Sequence, residues 1–159
     1  MIPVSYQEIS VRKTPLYIIT AFLLLLIFIL SDTKNADVMA WIAVSVLFIV
    51  VLLFYALSKK KIIIDNNAII QQMVFGKQRT LSWNEIKSSA LNWHTHGHGA
   101  NLSWQIESLT AKRISFDPGF YSRRSLRAIA EALTSKCPNA TIDSRIKKMA
   151  EGKFPWYIF

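Results

Sequence analysis

The sequence predicts a membrane α+β protein, in which an N-terminal two-helix transmembrane hairpin precedes a small β-rich domain closed by a C-terminal helix. Three observations lead there. Two uncharged apolar blocks, Pro15–Leu30 and Val38–Leu57, flank a seven-residue polar break. A run of short β-branched segments follows without a linker. One amphipathic stripe then comes near residue 126. The predicted units are a cytosolic lead at 1–13, the helical hairpin at 14–58, the β-rich domain at 59–137 and an amphipathic, aromatic tail at 138–159.

The helical blocks come first. A hydrocarbon core of ~30 Å needs about 20 apolar residues at 1.5 Å rise. The second block meets this length, and the first reaches it with Thr14 and Ser31. Arg12-Lys13 precede the first block, Lys34 lies in the break, and Lys59, Lys60 and Lys61 follow the second. The positive-inside rule then puts both termini on the cytoplasmic side of a bacterial inner membrane, in a multi-pass arrangement. Neither block contains an ionisable residue, which disfavours an ion or proton path.

Strand readings follow from period two and from turn residues. Lys61–Asp65 turns at Asn66-Asn67. Ala68–Phe75 turns at Gly76-Lys77, and Gln78–Trp83 leads into Asn84-Glu85-Ile86. Ser88–Trp93, Leu102–Ser108 and Ala111–Phe116 continue the series, with a loop over 94–101. Leu126, Ile129, Ala130 and Leu133 fall at helical spacing behind Ser122 as N-cap. Ile142, Ile146, Met149 and Ala150 suggest a weaker second helix.

Charge and cysteine content narrow the class. The net charge is +9, and residues 59–159 account for all of it, with 16 Lys and Arg against 7 Asp and Glu. A basic surface suits anionic lipid, nucleic acid or simple topology. Trp83, Trp93 and Trp104 sit at strand positions without interleaved charge, so nucleic acid is not expected. Cys137 is the only cysteine, so no intramolecular disulfide forms.

Candidate sites are few. His94, His96 and His98 alternate, so their rings share one face of an extended segment and could bind zinc, copper or nickel; a solvent-exposed hairpin loop is the ordinary alternative. Lys59, Lys60, Lys61, Arg123, Arg124 and Arg127 are the expected contacts for anionic lipid or an acidic partner. Trp156, Tyr157 and Phe159 belong to an uncharged aromatic tail that packs on the domain, meets headgroups or docks a partner. The chain has no nucleophile elbow, phosphate-cradling glycine loop or zinc-protease motif, so it is not expected to be an enzyme or to carry a cofactor. Cys137 sits at a helix C-terminus, the wrong end of the dipole for a thiolate.

The hairpin followed at once by KIIIDNNAIIQQMVFGKQRTLSWNEIKSS resembles the bacterial membrane-anchored pleckstrin-homology-like (PH-like) proteins. The carrying features are Asp65-Asn66-Asn67, the turn at Gly76, the step Leu81–Ile86 and the helix with Ser122, Leu126 and Leu133. The likeness covers roughly residues 60–135 plus the hairpin; the histidine segment and the tail after Pro138 depart from it. It implies a cytosolic PH-like barrel or sandwich and transfers no catalytic residues. The expected function is a non-catalytic, membrane-tethered binding or scaffold module, an accessory subunit that contacts the lipid bilayer and a membrane protein partner. The alternatives are an anionic-lipid-binding or stress- and metal-responsive regulator, or an immunity protein against a membrane-acting toxin.

Overall fold

The computed structural model describes residues 7–30, 36–74, 77–96 and 99–158. Their order is β1 (Gln7–Ser10), α1 (Thr14–Leu30), α2 (Ala36–Lys59), β2 (Lys61–Ile64), β3 (Ala68–Gln72), β4 (Gln78–Ser82), β5 (Ile86–His96), β6 (Gly99–Ser108), β7 (Arg113–Phe116), α3 (Arg123–Lys136), β8 (Thr141–Ile142) and α4 (Ser144–Ala150). The strands form two four-stranded sheets, β1-β2-β3-β4 and β7-β6-β5-β8. All pairs are antiparallel except β5 with β8.

Alternation builds the core. Ile62 and Ile64 of β2, Ile69 of β3 and Leu81 of β4 are buried. Leu102, Trp104 and Ile106 point inward from β6, with Ser103 and Gln105 between them on the other face. Trp104 is fully enclosed, donates from Nε1 to Ser89 Oγ at 2.9 Å and packs on Phe116 at 5.3 Å between ring centroids. The helix α3 closes this core with Leu126, Ile129, Ala130 and Leu133, none of them accessible. Ser122 Oγ caps it, accepting from Ser125 N at 3.0 Å. Asp143 caps α4 in the same way through Arg145 N at 2.9 Å, and Ile146 and Met149 seal the outer side.

The C-terminal end of α3 is tied to the first sheet. Trp83 Nε1 donates to the carbonyl of Asp65 at 2.9 Å. Lys136 Nζ donates to the same carbonyl at 2.9 Å and lies 5.1 Å from the Trp83 ring centre. The Asn66-Asn67 turn, the 3₁₀ turn at Trp83–Glu85 and the helix end thus share one hydrogen-bonded corner.

The transmembrane reading is corrected here. Among the described residues, no helix is long and apolar enough to cross a membrane. The helix α1 has 17 residues, about 26 Å at 1.5 Å per residue, against a hydrocarbon thickness of ~30 Å. The helix α2 has 24 residues and over its described residues does not meet the joint requirement of length and apolarity. The transmembrane hairpin is therefore withdrawn, together with the multi-pass inner-membrane location and the cytoplasmic termini deduced from it. What stands, among the described residues, is an α+β fold of two sheets and four helices.

The helical pair is nonetheless firmly mounted. Tyr17, near the start of α1, meets Phe54, near the end of α2, at 5.2 Å, so the helices run antiparallel with both domain-side ends together. Gln7–Ser10, in the lead, forms a strand whose Ile9 is buried against the core, as is Val11 just beyond it. Arg12 N donates to the carbonyl of Phe120 at 2.7 Å. Both helices thus leave the domain from neighbouring strands of one sheet.

Candidate functional site

Three surfaces gather side chains with chemical potential: the helical pair with its base, the outer face of β5 and β6 with the tail, and the first turn of α3.

On the helical pair, the outward residues are apolar. Ile18 is 67% exposed, Phe22 63%, Leu47 59% and Phe48 62%. At the base, Arg12 and Lys13 precede α1, Lys59 ends α2 and Lys60 follows it; all four are exposed. Lys59 Nζ sits 5.2 Å from the Tyr55 ring centre, a contact that leaves the ammonium in water. Lys61 differs from its two neighbours. It lies in β2 and pairs with Glu8 of β1 at 2.5 Å, so it stabilises the sheet edge.

Between this base and the domain lies a cavity of about 350 Å³, lined by Val11, Leu57, Gln71, Phe116, Phe120 and Tyr121 among others. Gln71 donates from Nε2 to the carbonyl of Ser115 at 2.8 Å, while its Oε1 is buried with no partner among the described residues. Burial pushes the Tyr121 phenol up to about 12, with Asp117 adding to the shift. These residues come from positions 11 to 121, and no local sequence pattern could have grouped them.

The histidines lie on a strand rather than in the expected loop. β5 runs through His96 and pairs with β6, placing His94 opposite Asn101 and His96 opposite Gly99. His94 is exposed, and its Nε2 is 2.6 Å from Gln105 Nε2, an amide that is itself held by Asn92 and Arg113. One imidazole is thus engaged with neighbouring side chains; His98 lies outside the described residues. Among the described residues, no group of three or more His, Cys, Asp or Glu side chains is arranged to hold a metal.

The tail packs for most of its length. Ile158 is buried, and the Tyr157 ring meets Trp93 in a tilted pair at 5.5 Å between centroids. Trp156 points outward, 87% exposed. Phe159 lies outside the described residues. Arg145 anchors the region by donating to both carboxylate oxygens of Asp143 and reaching the carbonyl of Leu91. Burial pushes the Asp143 carboxyl up, but the Arg145 hydrogen bonds and charge outweigh it and hold the group below its ordinary value. The guanidinium is correspondingly raised, chiefly by its hydrogen bond to Asp143.

Arg123, Arg124 and Arg127 all project from the N-terminal half of α3 and are exposed. Arg127 is paired with Glu131 at 2.8 Å. The structure does not bring these arginines and the lysines at 59–61 together in any cavity. Cys137 is buried and donates to the carbonyl of Trp83 at 3.4 Å. Burial pushes its thiol up to about 11, with Lys136 opposing, which leaves little thiolate at neutral pH.

No protein-family model, no curated protein and no solved structure matches this chain.

Proposed function

We propose that this chain is a non-catalytic binding or scaffold module, an accessory subunit that carries an apolar helical pair to an apolar partner surface. The observation behind this reading is the contiguous set of outward apolar side chains on α1 and α2. Apolar patches of this extent mark interaction surfaces, because water does not tolerate them cheaply. The mount between β1 and β2 fixes the direction in which the pair projects. Two small sheets followed by α3 support a PH-like reading of the domain, and folds of that kind serve partner and lipid binding in general, an analogy of fold alone.

The test is site-directed photo-crosslinking in the native cell. A crosslinker in place of Phe22 or Phe48 should give a discrete protein adduct, and one in place of Lys147 on α4 should not. Recovery of the full chain alone, with no adduct from either helix, would reject the reading.

A second reading rests on Arg12, Lys13, Lys59 and Lys60. Four cations around an apolar element suit an anionic lipid surface, each worth ~1 kcal/mol there. Flotation of the full chain with phosphatidylglycerol vesicles but not phosphatidylcholine vesicles would favour it; equal flotation with both would remove the role given to charge.

A further inference from the structure

The two sheets approach each other at their outer strands, β4 and β7. Side chains bridge them. Arg79 of β4 donates to the carbonyl of Arg113, and Gln71 of β3 to the carbonyl of Ser115. The carbonyls of β7 on this side are therefore occupied, while β4 is not closed in the same way. Among the described residues, no backbone group of Gln78–Leu81 bonds to any strand except β3. Its outer edge instead faces a groove of about 890 Å³.

The groove has a strongly biased charge. Arg79 rises from β4 itself, Lys87 stands at the start of β5, and Lys112 and Arg113 come from the turn into β7. Against these four cations stands one carboxylate, Glu107, which is 3.9 Å from Arg113 and half exposed. Gln78, Arg79 and Thr80 are all exposed.

We infer that this groove takes an acidic, extended peptide segment, which adds to β4 as a fifth strand of its sheet. The free backbone edge supplies hydrogen bonds of the strand-addition kind, and the cations select the partner. A basic residue on an edge strand ordinarily serves to keep edges apart. Here three further cations stand on the other walls of the groove, where guarding the edge of β4 does not require them. They oppose a second copy of this chain, which would bring two cationic grooves together, and they favour carboxylates on alternate residues of a strand. The +9 net charge speeds the encounter. The inference deepens the binding-module reading by giving it a second, chemically different surface. It concerns β4 alone, so its failure leaves the crosslinking test on α1 and α2 untouched.

The experiment is calorimetric titration of the full chain with a capped peptide of alternating Glu and Val, followed by amide exchange. Micromolar binding is expected, with new protection at Arg79–Leu81. The paired substitution Lys112→Glu and Arg113→Glu, both at exposed positions, should weaken it by roughly tenfold or more. So should N-methylation of alternate peptide nitrogens, which keeps the charge and removes the ladder. Equal binding of the N-methylated peptide, equal binding of a Lys/Val peptide, or no binding of the Glu/Val peptide would each overturn the inference.

Discussion

The domain and the helical pair treat the same kind of side chain in opposite ways. In the domain, Trp104, Ile106, Ile114, Leu126 and Leu133 are sealed from water, each covered by another element of the chain. On α1 and α2, Phe22, Leu47 and Phe48 are mostly bare, although these helices are the most apolar segments present. The domain covers its apolar side chains with its own elements, whereas the described side chains of the helical pair point outward, toward the partner surface proposed above. A substitution should show which region it sits in by what it damages.

The largest effect should come from the sealed region. Trp104→Ala removes a fully buried ring and its bond to Ser89. It should cost about 3–5 kcal/mol, read as a lower midpoint in denaturant with unfolding of both sheets. Leu133→Ala, at the contact of α3 with the core, should cost about 2–5 kcal/mol by the same measurement. If either variant were as stable as the parent, the packing described for that region would be wrong.

A smaller effect is expected at Asp143, which caps α4 and holds Arg145. Asp143→Ala should cost about 1–2 kcal/mol. Its pH signature separates charge from packing. The folded carboxyl lies below its unfolded value, so its contribution is complete above the ordinary carboxylate value of about 3.9 and is lost as pH falls through the folded value. Thermal scans should show the parent losing stability on acidification below about pH 4, with a shallower loss in Asp143→Asn.

Cys137 offers a test without mutation. Its thiol is buried and raised to about 11. Iodoacetamide should label it far more slowly in the native chain at pH 8 than in urea, as mass spectrometry would show. Rapid native labelling would mean that the corner between Trp83 and α3 opens readily.

The smallest stability effect belongs to the bare region. Phe48→Ser should change the stability of the isolated chain by no more than about 0.5 kcal/mol, while weakening the adduct given by a crosslinker in place of Phe22. A large loss of stability would show that α1 and α2 are covered within the chain after all.

The domain was largely legible in the sequence because its signals are local. A β-branched run marked β2, period two marked β6, turn residues bounded β2 and β3, and a stripe at 126, 129, 130 and 133 marked α3. β1 was missed because Ile9 and Val11 are a short alternation in a polar lead, and their burial depends on β2, more than 50 residues later. β8 has two residues, too few to carry a period. Strand propensity was also underrated at 94–96, where the pairing with β6 carries the ladder past residues of loop-like composition. The helices were legible as helices. What covers them was not, because an uncharged run states that its surface must leave water without naming the surface it meets. The bilayer answer fell because, among the described residues, no helix is both long and apolar enough to cross a membrane. The groove beside β4 was out of reach for another reason, since Arg79 and Arg113 become neighbours only once the two sheets are folded.

The mounting of the helical pair bears on how such a chain could be taken apart. Ser10 and Lys61 face each other across the ladder of β1 and β2, so everything from Val11 to Lys60 is an excursion out of an otherwise ordinary β-hairpin. An Asn-Gly splice joining Ser10 to Lys61 would close that hairpin with a two-residue turn. The sheet would lose Val11 from its core margin and keep its register. In modular terms, α1 and α2 are a detachable cassette and the two sheets are the chassis into which it is plugged.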